Sequence, residues 1–150
     1  MKRMMILAAA AALGLSASAQ AQTAADSAGV RQAALDYIEG WYAGDAARME
    51  RALHPELAKR IVGVNPQTGD TGLRNMTAEQ LVEATGAGYG TRTPADKVRT
   101  DVTILDIYEG TASARVDASD WIDYMHLAEW KGEWKIINVL WQVRPEARRQ

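Results

Sequence analysis

Between Val98 and Val143, short alternating segments rich in β-branched and aromatic residues are broken only by Glu109-Gly110, Ala118-Ser119-Asp120 and Lys131-Gly132. This pattern predicts four strands, over 98–108, 111–117, 121–130 and 133–143. Breaks this short leave no room for the long crossover that parallel pairing needs, so the strands must form an antiparallel meander. In the last hairpin, placing Trp130 opposite Trp134 brings Glu129 near Lys135, His126 opposite Asn138 and Tyr124 opposite Leu140. Charge pairing favours that register, while Lys131-Gly132 also fits a two-residue loop.

The residues before the meander read as helical. Val30, Ala34, Tyr37 and Trp41 recur at helical spacing, so a phenol and an indole share one face of a helix over 30–43. Gly44 suits the left-handed residue just past a helix, and Asp45 is a good N-cap for a second helix that ends near Leu53, before His54-Pro55. Arg60 to Val64 reads as a short strand, and Asn65 to Gly72 as a turn that returns the chain. Thr77 and Gln80 make a capping box for a third helix, with Met76 placed to staple onto Leu81 and Gly86 and Gly88 to stop it. Helices followed by an antiparallel sheet give an α+β fold with the helices on one face.

The first 21 residues resemble a signal peptide: Lys2 and Arg3 supply positive charge, Ile6 to Leu15 an apolar run, and Ala19-Gln20-Ala21 a cleavage site. The expectation is export to the periplasm or medium, a flexible lead-in over 22–29, one domain over 30–143 and a polar tail over 144–150. Losing Lys2 and Arg3 from 17 basic residues leaves 15 against 19 acidic ones, a net charge of about −4. That balance disfavours nucleic acid as a partner, and the apolar run is too short for stable membrane insertion. With no cysteine, the chain has no disulfide, thiol nucleophile or zinc-thiolate site.

Candidate chemistry is sparse. His54 and His126 stand far apart and in no metal-ligating spacing, so no metal site is expected, and no cofactor motif is recognised. His54 suits a structural role at a helix end. His126 lies mid-strand, where it is either a satisfied core histidine, for instance with Asn138, or a pocket acid, base or donor. Neither a nucleophile elbow nor a phosphate loop is present. Asp117, Asp120 and Asp123 read as an acidic corner, but Asp123 falls within an aromatic strand. The tryptophans Trp41, Trp121, Trp130, Trp134 and Trp141 suit either core positions or stacking on a flat ligand.

Helix, Gly-Asp, helix, a capped third helix and a meander ending in Gly132-Glu-Trp-Lys-Ile-Ile-Asn-Val-Leu-Trp141 resemble the nuclear transport factor 2-like (NTF2-like) superfamily. The chain is most similar there to the group named putative lumazine-binding proteins. The resemblance rests on Trp41-Tyr-Ala-Gly-Asp45, Leu53-His-Pro55 and the terminal strand, and covers about residues 28–143. It implies a cone, in which a strongly bent antiparallel sheet wraps the helices, with a pocket at the open end and often a dimer through the outer sheet face. The superfamily includes ketosteroid isomerase and snoaL-type cyclases and dehydratases. Tyr37 matches the isomerase tyrosine that donates to the oxyanion. The general-base position falls at Ile61, which cannot accept a proton.

The leading expectation is therefore an exported domain, without catalysis or of unknown activity, that binds a small apolar or aromatic molecule through Tyr37, Trp41, Tyr124, His126 and Asn138. A second is a small cofactor-independent isomerase, dehydratase or hydrolase with Tyr37 as donor and His126 or Asp123 as base. A third is a homodimeric module with a vestigial pocket, joined through an outer face of Trp121, Met125, Leu127, Ile137, Val139 and Trp141.

Overall fold

A computed structural model describes residues 4–149, with side chains from Thr23 to Arg148. The expected signal peptide's charged start, Lys2 and Arg3, lies outside the described residues, as do the side chains up to Gln22. Helix α1 runs from Met4 to Ala43, so Thr23 to Gly29 continue the helix in place of an irregular lead-in. Val30, Ala34, Tyr37 and Ile38 are buried along one face of it. Gly44 takes a φ of 69°, and Asp45 caps α2 (Ala46–Ala52) by accepting from the Arg48 N–H at 2.9 Å. No helix among the described residues is long and apolar enough to cross a membrane.

Strand β1 spans Leu53–Val64, starting seven residues before the Arg60 expected from sequence. Pro55 has no N–H to give the ladder, and it falls where the register of β1 shifts between Leu53 and Ala58. The Asn65–Gly72 turn returns the chain as expected, into β2 (Thr71–Thr77), a strand with no counterpart among the expected ones. Helix α3 (Ala78–Gly86) carries the complete Thr77–Gln80 capping box. The meander follows as β3 (Asp101–Tyr108), β4 (Thr111–Asp117), β5 (Trp121–Trp130) and β6 (Glu133–Val143).

The strands make one sheet in the order β2-β1-β6-β5-β4-β3. It has six strands, the four of the expected meander with β1 and β2 added at one edge, and it is mixed, because β1 pairs parallel with β6. The long α3 connection between β2 and β3 lets the chain reach the far edge, so β1 arrives beside β6 in the same direction. Register shifts also fall between Ile104 and Asp106 and between His126 and Leu127. Such bulges bend a strand and curl the sheet around the helices.

The β5–β6 hairpin corrects the expected register in one half only. Lys131 and Gly132, at φ 54° and 81°, make a two-residue loop that pairs Trp130 with Glu133 and Ala128 with Lys135. An extra residue at Ile137 then restores the expected pairs, His126 with Asn138 and Tyr124 with Leu140. Turn chemistry sets the near half, and the bulge sets the far half.

Candidate functional site

The concave face of the sheet holds a buried cluster of charge. On β5, Trp121, Asp123, Met125 and Leu127 point toward the helices, whereas Tyr124 and His126 point away. Asp123 is fully buried. Its carboxylate accepts from Lys59 Nζ at 2.5 Å, from the Tyr37 hydroxyl at 3.0 Å and from Trp121 Nε1 at 2.7 Å. Lys59 also donates to the Tyr37 oxygen at 2.7 Å. One carboxylate thus satisfies an ammonium, a phenol and an indole drawn from α1, β1 and β5.

Lys59 is only 6% exposed and Tyr37 2%. Burial raises the Tyr37 hydroxyl well above its usual pKa, and the Asp123 charge raises it further, so it stays a donor. Burial lowers the Lys59 ammonium from its usual value, while Asp123 acts in the opposite sense. Two of the three ammonium protons have oxygen partners among the described residues; the rest of the ammonium faces the Trp141 ring, 4.9 Å from its centroid.

Three tryptophans adjoin the cluster, Trp121 and Trp141 directly and Trp41 through Trp121. Trp121 meets Trp41 and Trp141 edge-on, with centroids 6.1 and 6.5 Å apart. Each is half-buried, between the core and the surface. Tyr42 ties the end of α1 to this rim: its hydroxyl donates to Ser119 Oγ, which donates to the Lys97 carbonyl. Gly90 presses against the same helix end, where a Cβ would stand 2.1 Å from the Trp41 oxygen.

The expected ligand set divides between the two faces of the sheet. Tyr37 and Trp41 stand at the inner cluster. Tyr124, His126 and Asn138 stand on the outer face, where His126 and Asn138 line a separate depression of about 350 Å³ with Asp106 and Ser113. Tyr37 and His126 therefore cannot act on one ligand, and the expected convergence of all five side chains does not occur. The expected outer apolar face is likewise inverted: Met125, Leu127 and Val139 are in the core, and Trp121 and Trp141 pack against it. Ile137 alone of that set is displaced, by the bulge.

Other candidates resolve simply. Asp117 is held by Arg115 and Arg144 at 2.7 and 2.8 Å, so Asp117 and Asp123 belong to different clusters. His54 accepts from the Glu56 N–H and stands edge-on to Trp130, a structural role within a strand rather than at a helix end. Ile61 is buried on the inner face of β1. Lys59 is the residue that sequence reading missed. It shares the alternation Leu57, Lys59, Ile61, and a strand begun before Arg60 would have placed it inward.

Comparison with known proteins identifies the class. The family model described as putative lumazine-binding matches residues 25–142, and the chain belongs to that family. The fold is that of the nuclear transport factor 2-like proteins. A protein of unknown function from Shewanella baltica with this fold superposes with a TM-score of 0.62 at 20% identity, over 81% of this chain and 96% of that one. One from Silicibacter pomeroyi gives 0.61 at 15% identity, over 81% and 98%. A protein from Novosphingobium aromaticivorans, described as having a cystatin-like fold, gives 0.62 at 14% identity, over 88% and 92%. No curated protein matches the chain.

Proposed function

We propose that this chain binds a small, flat molecule at the open end of the cone, with its ring against the Trp41, Trp121 and Trp141 group and a carbonyl edge on Lys59. The observation that carries this reading is the Lys59–Asp123–Tyr37 cluster, bordered by the Trp121 and Trp141 indoles, with part of the ammonium facing Trp141. A carbonyl oxygen in place of that ring face would give the ammonium a third acceptor, and the indoles would supply stacking surface. A dioxopteridine such as lumazine has both features, and the family's description supports choosing it as the first probe.

The test is quenching of tryptophan fluorescence by lumazine. Wild type should saturate, Trp141→Ala should weaken binding about tenfold, equivalent to ~1.4 kcal/mol, and Tyr37→Phe should weaken it less. Absence of saturable quenching at millimolar lumazine overturns the proposal.

An enzymatic reading is favoured by one observation, the direct hydrogen bond from Tyr37 to Asp123. In it Tyr37 donates to a substrate oxygen and Asp123 serves as base, with no part for His126 on the opposite face. We also propose export, with cleavage after Ala21, which the mass of the protein recovered outside the cytoplasm would check. Homodimerisation is proposed through the outer face that the sheet presents, where Val62, Leu73, Leu105, Tyr124 and Leu140 are exposed. Sedimentation at micromolar concentration should give a dimer, and Leu140→Lys a monomer.

A further inference from the structure

Resting on the binding reading above, we propose that Lys59 is a nucleophile toward aldehydes or ketones that enter beneath Trp141, condensing with the carbonyl carbon to a Schiff base. Asp123 takes up and returns the protons, and Tyr37 relays one to the carbonyl oxygen. Three features of the geometry support this. The amine is buried beside the Trp141 ring, where burial disfavours the charged form. Its proton acceptor is within hydrogen-bond reach, at 2.5 Å. A phenol that remains protonated touches both amine and carboxylate, at 2.7 and 3.0 Å.

The step balances without an added reagent. A proton passes from the ammonium to Asp123, and the freed lone pair of Nζ forms a bond to the carbonyl carbon. The carbonyl π pair moves to oxygen, which is protonated through Tyr37 at the expense of Asp123. A second proton leaves nitrogen for Asp123, the nitrogen lone pair forms the C=N bond, and the C–O bond breaks as the oxygen takes that proton and departs as water. Two ammonium protons end in the water and one stays on the iminium, whose positive charge faces the Asp123 carboxylate. Ion-pair charge is conserved from start to finish, so the buried site never holds an unbalanced charge at either end point.

The other lysines of the domain provide an internal comparison. Lys97 is well exposed, Lys131 occupies the hairpin loop, and Lys135 Nζ is engaged by the Arg51 carbonyl and Glu133. None stands beside a buried acid and phenol.

The experiment treats the full chain with 2-naphthaldehyde and cyanoborohydride at neutral pH and maps the reduced adducts by peptide mass. Lys59 should label at least about tenfold faster than Lys131, because a positioned proton acceptor and donor accelerate such a condensation by at least that much. Lys59→Arg should lose that adduct alone. Asp123→Asn should slow labelling of Lys59 about tenfold while surface labelling is unchanged, an effect that simple burial of a lysine would not produce. Labelling of Lys59 no faster than Lys131 overturns the inference. Binding of 2-naphthamide, which cannot form an imine, is read separately by tryptophan quenching. If the amide binds and the aldehyde does not trap, the Schiff base falls and the binding reading stands; if neither occurs, both fall.

Discussion

Lys59 and Asp123 stabilise each other only as a pair. Deleting the ammonium by Lys59→Met leaves a fully buried carboxylate held by a phenol and an indole alone, and a change of this kind costs about 3–5 kcal/mol. Adding Asp123→Asn to Lys59→Met removes the stranded charge while keeping an oxygen acceptor, so the double variant should recover much of the loss. Urea denaturation of the two single variants and the double gives the coupling, and wild-type stability in Lys59→Met would refute it. At this scale Tyr37 was legible from sequence because helical spacing fixes which face it shares with Val30 and Ala34. The faces of β5 were not, because both carry apolar residues: Trp121, Met125 and Leu127 on one, Ile122 and Tyr124 on the other. Alternation states that two faces exist and leaves open which is buried. Asp123 decided it, since a carboxylate enters the core only where cations and donors meet it, and its ion partner lies 64 positions away.

Among the elements, α3 is the one whose local chemistry is most complete. Thr77 Oγ1 accepts from the Gln80 N–H, and Gln80 Oε1 accepts from the Thr77 N–H at 3.0 Å. Thr77→Ala should therefore cost about 1 kcal/mol, seen as a lower midpoint in thermal or urea unfolding, and Thr77→Ser should retain most of the stability. The turns from β3 to β4 and from β5 to β6 were readable for a related reason: each pairs a positive-φ residue, Glu109 or Lys131, with a glycine. Strand β1 was not, because His54-Pro55 reads locally as a helix stop followed by irregular chain. Parallel pairing with β6 tolerates the proline by a shift of register, and that partner is supplied by the far end of the sequence.

For the molecule as a whole, acid sensitivity should trace to the joint between α1 and α2. Asp36 is buried, which alone would raise its pKa, but hydrogen bonds from Arg51, Arg48 and Gln32 outweigh that and hold it below the usual carboxylate value. A lowered folded-state pKa means that the unfolded chain binds the proton more readily, so this contribution is present above the unfolded value near 3.8 and is lost as pH falls through the folded value. Asp36→Asn should be less stable than wild type at neutral pH, and the gap should close on acidification. Melting temperatures across that range would check it, with a gap constant in pH counting against the assignment. The sequence by itself determined the α+β order, the meander and its turns, and the helix caps, because these follow from contacts within a few residues. Only the tertiary structure decided that β1 lies parallel beside β6, that Tyr124 and His126 face outward, and that Lys59 joins Tyr37 and Asp123. Those outcomes depend on pairing between distant segments and on whether a buried charge finds its partner, and no local pattern contains either.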